Sequence, residues 1–222
     1  MAGGKGTRLR PDTESCPKPM LEIDGKPILE IILDNCISNG FRYFYISVNY
    51  LKEQIIDYFS DGTRWGVSIK YLVEDKPLGT AGSLQLLPDS ITEPILVLNG
   101  DILTRFNPRD LIDFHIRNGA QATLCAREVS FTIPFGIVQT DGTYLTTFSE
   151  KPTFQYLVNV GVYSIDPRIL KLLRPNYYTD MPTLLDSARK RNYRVAVCPI
   201  HDYWIDIGSH KSLRLADSFR YP

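Results

Sequence analysis

No apolar run in this sequence approaches the ~20 residues that a membrane-spanning helix needs. Neither sign of charge is in excess. Lys plus Arg and Asp plus Glu stand at 25 each, so no bulk field points to nucleic acid or to a membrane surface as partner. An anionic ligand must then be held by a few placed cations. Cysteine is scarce: Cys16, Cys36, Cys125 and Cys198 are spread widely without a Cys-x-x-Cys pair, which argues against a zinc site and fits reduced thiols. The opening Met1-Ala2-Gly3-Gly4-Lys5-Gly6 has no apolar h-region behind it and so does not read as a signal peptide. Repeats, low-complexity tracts and linkers are also missing. One domain over residues 1–222 in the cytoplasm is the expectation.

What is there alternates. Phe44 to Val48, Val67 to Leu72, Ile95 to Leu98 and Ala122 to Ala126 read as strands, and Ile95 to Leu98 is apolar on both faces, as a strand covered by helices should be. Between them lie helical patterns. In Pro27 to Ser38 the residues Ile28, Leu29, Ile32, Leu33, Cys36 and Ile37 repeat at helical spacing, with Pro27 suited to the first turn and Gly40 to the stop. Asn107-Pro108 and Asp166-Pro167 pair an N-cap with a first-turn proline, and Asn118-Gly119 ends the helix that starts at Pro108. Ser209 suits the cap of a last helix. Residues 136–148 form a β-hairpin around Asp141-Gly142, and strands follow at Tyr156 to Tyr163 and Val195 to Cys198. The predicted fold is α/β: a Rossmann-like mixed, mainly parallel central sheet flanked by helices, with a hairpin-containing C-terminal half.

The chemistry concentrates at the start. Gly3, Gly4 and Gly6 let backbone pass close to a phosphate chain and aim N–H groups at it, and Arg8 and the proline-braced Lys18 follow as fixed cations. Two commoner phosphate motifs fail. No Gly-x-x-x-x-Gly-Lys-Ser/Thr string occurs, and a dinucleotide fingerprint would need glycine where Leu9 stands. Asp101 should emerge at the C-terminal end of a buried strand, where α/β sheets bind ligands. With Asp206, it offers the hard oxygen ligands that Mg²⁺ takes. His115, His201 and His210 are not spaced as ligands; surface or capping roles are expected for them.

The run Gly3-Gly4-Lys5-Gly6-Thr7-Arg8-Leu9-Arg10-Pro11, then Pro17-Lys18-Pro19, resembles the sugar-1-phosphate nucleotidylyltransferase family. Further motifs stand in family order: Leu78-Gly79-Thr80-Ala81-Gly82, Asn99-Gly100-Asp101, Glu150-Lys151-Pro152, Asn159-Val160-Gly161 and Trp204-Ile205-Asp206-Ile207-Gly208. The resemblance covers essentially the whole chain. It implies transfer of a nucleoside monophosphate from a nucleoside triphosphate to a sugar 1-phosphate, with pyrophosphate released. On this resemblance Arg8 and Lys18 are the catalytic cations. Ala2, Gly3, Gly4, Gly6, Thr7, Glu74, Leu78, Gly79, Thr80 and Gly100 bind the nucleotide. Gly136, Glu150, Lys151 and Asn159 hold the sugar phosphate, and Asp101 and Asp206 hold Mg²⁺. The Leu78-to-Gly82 version looks most like guanylyltransferases acting on mannose-, heptose- or amino-sugar-type 1-phosphates, which favours GTP. The expected partners are these small molecules, with no nucleic acid and no membrane; a homo-oligomer and a fused regulatory domain stay open.

One departure concerns the first glycines. In the resembled family the loop follows a buried apolar strand, yet Gly3 stands two residues from the start, so a longer native chain is expected. The β-helix extension of many relatives is missing after Pro222, which argues against oligomerisation through that element. Two rivals remain. A nucleotide-sugar-using glycosyltransferase would usually show Asp-x-Asp, where Asn99-Gly100-Asp101 lacks the first carboxylate. An inactive nucleotide-sugar-binding regulatory domain would be expected to lose Arg8, Lys18, Asp101 or Lys151, and all four are present.

Overall fold

The computed structural model describes residues 1–216. In chain order the strands are β1 (Glu22–Ile23), β2 (Lys26–Pro27), β3 (Tyr43–Val48), β4 (Ser68–Val73), β5 (Ile95–Leu98), β6 (Ile102–Thr104), β7 (Ala122–Thr132), β8 (Ile137–Asp141), β9 (Tyr144–Ser149), β10 (Thr153–Ile165), β11 (Val195–Pro199) and β12 (Trp204–Asp206). The helices are α1 (Ile28–Ser38), α2 (Lys52–Phe59), α3 (Gly79–Gly82), α4 (Pro108–Arg117), α5 (Pro167–Leu170), α6 (Met181–Lys190) and α7 (His210–Ala216). None of them is long and apolar enough to cross a membrane.

Strands β11, β7, β10 and β5 form one sheet in that order, and β3 pairs with β4 in parallel. β10 runs antiparallel to both β5 and β7, while β11 is parallel to β7, so β5, β7 and β11 share one direction. α1 is apolar on nearly every side because it wedges between two cores. Ile28, Ile31 and Ile32 pack with Leu9, Leu103 and Ile207, and Leu29 and Leu33 pack with Ile46, Val48, Ile55 and Phe59. Pro27 sits at its N-cap rather than inside the first turn.

The caps follow local chemistry. Asn107 and Asp166 each accept from the backbone N–H two residues on, and Ser209 Oγ accepts from Ser212 N–H while Ser209 N–H donates to Ser212 Oγ. β7 and β10 run far past the predicted strands, to eleven and thirteen residues, and their outer halves project beyond the sheet as an exposed ribbon.

The edge of β3 away from β4 faces the free edge of β5 across an apolar trough of about 670 Å³. Tyr43 to Ser47 line one wall, Ile95 to Leu98 the other, and Leu29 and Leu33 the floor. Met1 and Ala2 close one end. The Met1 α-ammonium donates to Leu98 O at 2.9 Å, Met1 O accepts from Gly100 N–H at 2.8 Å, and Ala2 N–H donates to Ser47 O at 2.9 Å. These are rungs of a parallel ladder on both sides. Burial pushes the α-ammonium below its ordinary value, against the raising pull of Asp101 and Glu74. Gly100 must be glycine here, since an added Cβ would lie 2.7 Å from Met1 O.

His115, expected at the surface, is only 2% exposed, because its place on α4 turns it onto β7, where Nδ1 meets Thr123 Oγ1 at 2.8 Å. Burial holds this imidazole below its ordinary value, with Asp166 opposing. The unfolded chain therefore takes up the proton first as pH falls. The stability that neutral His115 contributes is intact above the unfolded value of about 6.5 and is lost as pH drops towards the folded one. Melting temperature against pH should be shallower below about 6.5 for His115→Gln than for the parent, by up to ~1.4 kcal/mol per pH unit in stability. Parallel curves would remove His115 from the acid response.

Candidate active site

The site is built at the C-terminal ends of the parallel strands, where Asn49, Glu74 and Asp101 follow β3, β4 and β5. Gly6 opens the Thr7–Leu9 turn with φ +60°, and an added Cβ would lie 3.0 Å from Thr13 and 3.1 Å from Lys18 Cβ. Glycine is therefore required by conformation and by crowding alike. The same Gly6 carbonyl accepts from Leu9 N–H and Thr13 Oγ1, which folds the loop back so that the Lys18–Met20 turn passes beneath it.

Asp101 and Asp206 are brought together by strand pairing. β12 lies antiparallel to β6 with Asp206 opposite Ile102, and Ile207 N–H donates to Asp101 O at 3.0 Å. Lys18 Nζ, nearly buried, meets Asp101 Oδ2 at 2.5 Å and lies 4.0 Å from Asp206 Oδ1. Arg8 joins from the opposite wall: a Cβ placed on Gly208 would stand 3.3 Å from both terminal guanidinium nitrogens and from Asp206 Oδ1. Burial, followed by the charge of Asp101, raises the Asp206 carboxyl above its ordinary value, and Lys18 and Arg8 pull the other way. Asp206 Oδ1 is buried with no hydrogen-bond partner. Two close carboxylates, one held against its charge and with an orphaned oxygen, fit a hard divalent cation that draws its other ligands from phosphate and water. Among the described residues no group of three or more His, Cys, Asp or Glu gathers as a metal cage.

The Leu78-to-Gly82 loop is fixed from behind. Glu74 is buried, with Oε1 accepting from Ser47 Oγ at 2.5 Å and Oε2 from Leu78 N–H at 2.9 Å. Oε2 thus holds the loop, and Oε1 ties Glu74 to β3. Gly3 passes so close that an added Cβ would lie 3.1 Å from Glu74 Oε1, while Gly4 and Thr7 are exposed. Gly79 and Gly82 serve packing as well: added Cβ atoms would lie 2.6 Å from Thr179 O and 2.9 Å from Tyr177 O. The segment around Thr179 carries no motif, and local sequence gave no sign of it.

The remaining predicted residues lie on or beside the projecting ribbon. Gly136 faces Glu150, whose Oε2 would be 2.8 Å from an added Cβ. Lys151 is exposed at φ +44° in the turn between β9 and β10 and makes no ion pair among the described residues. Asn159 ties the β10 irregularity, its Oδ1 accepting from Gly161 N–H and its amide donating to Tyr163 Oη. Among the described residues no hydrogen bond or ion pair joins these four to Arg8, Lys18, Asp101 or Asp206.

The sequence model of the family described as "Nucleotidyl transferase" matches residues 1–220. The chain belongs to the nucleotidyl transferase family. The chain is 31% identical to the mannose-1-phosphate guanyltransferase of Pichia angusta over 95% of its own length and 60% of that protein. It is 33% identical to the UTP–glucose-1-phosphate uridylyltransferase of Synechocystis sp., over 94% of its length and 59% of that relative. It thus spans about 60% of the length of these curated relatives. HddC from Yersinia pseudotuberculosis shares its Rossmann-like fold at a TM-score of 0.77 and 24% identity, covering 99% of this chain and 97% of that one.

Proposed function

We propose that this chain is a single nucleotidyltransferase domain that transfers a nucleoside monophosphate from a nucleoside triphosphate, GTP favoured, to a sugar 1-phosphate in the cytoplasm. The supporting observation is the meeting of Arg8 and Lys18, near the start of the chain, with Asp101 from its middle and Asp206 from near its end. A sugar phosphate oxygen attacks the α-phosphorus in line and pyrophosphate leaves opposite. The nucleophile is already anionic, so the residues need only align groups and stabilise charge.

Arg8 would face the leaving pyrophosphate and Lys18 the α-phosphate. Exposed and without an ion pair among the described residues, Lys151 would hold the sugar phosphate beside Gly136, Glu150 and Asn159. Gly3, Gly4, Gly6 and Thr7 would receive the phosphate chain, with Ala2 and Gly100 shaping the floor, and Gly79 and Thr80 would face the base. Asp101 and Asp206 would hold Mg²⁺, which when bound neutralises phosphate charge. The guanyltransferase among the relatives supports GTP.

Pyrophosphate release with Mg²⁺, measured over GTP, UTP, dTTP and ATP against mannose, glucose and amino-sugar 1-phosphates, tests this. Release that requires both substrates and is fastest with GTP is expected. Release without any sugar phosphate would mean hydrolysis, and no release with any pair would overturn the reading.

A further inference from the structure

Asp180 stands at the N-cap of α6 and does not cap it. An aspartate at that position ordinarily turns its carboxylate onto the N–H groups of its own first turn. Here the carboxylate reaches across a sequence separation of 100 residues. Oδ1 accepts from Thr80 N–H at 3.1 Å and from Thr80 Oγ1 at 3.4 Å, and Oδ2 accepts from the Tyr178 hydroxyl at 3.0 Å. Thr80 Oγ1 in turn accepts from Met181 N–H at 2.8 Å. The two segments exchange caps: the loop's threonine closes the helix, and the helix's aspartate holds the loop.

The backbones are matched to this exchange. Thr179 N–H donates to Leu78 O at 2.8 Å, and Thr179 O accepts from Ala81 N–H at 2.9 Å and Gly82 N–H at 3.0 Å. Gly79 adopts φ +81°, and a Cβ there would lie 2.9 Å from Asp180 Oδ1. With Glu74 on Leu78 N–H and Asp180 on Thr80 N–H, the Gly79-Thr80 turn is suspended between two carboxylates. Charge-assisted bonds of this kind are the stronger ones.

We propose that Asp180 is a positioning residue for the nucleobase: it sets the shape of the Gly79-Thr80 turn and, through it, affinity and selectivity for the base. This rests on the reading of that loop as the part that meets the base. Asp180 itself touches Thr80 and Tyr178 rather than substrate.

Calorimetric binding of GTP, UTP and dTTP, and of inorganic tripolyphosphate as a ligand without a base, separates the roles in the parent, Asp180→Ala and Asp180→Asn. Asp180→Ala should bind the preferred nucleotide about tenfold more weakly, the loss of a charge-assisted bond expressed as affinity. Preference among the bases should narrow, with tripolyphosphate affinity unchanged. Asp180→Asn should recover most of the loss, because Oδ1 can still accept from both Thr80 groups. A purely structural cap would lower melting temperature and leave the ratio of nucleotide to tripolyphosphate affinity untouched, which would overturn the proposal. Equal weakening of tripolyphosphate would overturn it too, with the nucleotidyltransferase reading still standing. A parent that binds no nucleotide would withdraw both.

Discussion

Arg8→Ala is expected to lower turnover by about 10²–10³-fold, the usual loss when one preorganised donor to a transition-state charge is removed. Nucleotide binding should weaken far less. Arg8 is exposed and lies against Gly208 beside Asp206, with no hydrogen bond fixing it among the described residues. Its removal therefore leaves Lys18 on Asp101 undisturbed and the loop intact. What it takes away is a cation at the mouth, where charge on the leaving pyrophosphate would develop. A drop in kcat with nucleotide affinity near the parent's marks an interaction made mainly in the transition state. Single-turnover kinetics with the preferred pair reads this directly, and unchanged turnover would strike Arg8 from the mechanism.

The second large effect concerns stability. Five apolar, β-branched residues joined ahead of Met1 should raise the melting temperature on the order of 5–10 °C, at ~2–4 °C per kcal/mol for a chain of this size. The trough offers two unpaired strand edges and an apolar floor, and Met1 and Ala2 already stand in register with β3 and β5. Each buried side chain contributes ~1.5–3 kcal/mol against ~1–2 kcal/mol for ordering its backbone, so a net gain of a few kcal/mol is expected. An extension also turns the buried α-ammonium into a neutral peptide N–H, which removes a desolvation cost. A Gly-Ser extension of equal length is the control. It supplies ladder bonds without side chains to fill the trough, so its melting temperature should stay well below that of the apolar version. Equal behaviour of the two would mean that the trough does not take a strand.

Much of this site was legible in advance because its signals are local. Glycines at 3, 4 and 6 and the proline-braced Lys18 declare a tight loop with a fixed cation within twenty residues. The caps at Asn107, Asp166 and Ser209 and the Asp141-Gly142 turn needed only their neighbours to be read. The length of β7 and β10 was not legible, since their outer halves pack on no core and show no burial pattern in the sequence. Glu74 was expected to meet the nucleotide, whereas its bonds to Ser47 Oγ and Leu78 N–H depend on a neighbouring strand and a later turn that its own surroundings in the sequence do not specify.

By itself, the sequence determined several of the strands, helices and caps, the tight glycine loop and the residue types that the site can draw on, because each depends on neighbours within a turn or a strand. Only the tertiary structure decided that Asp101 meets Asp206, through the β6–β12 pairing, and that Asp180 holds Thr80. Pairing register and side-chain direction between segments a hundred residues apart follow from how the cores pack, and no local stretch of sequence encodes them.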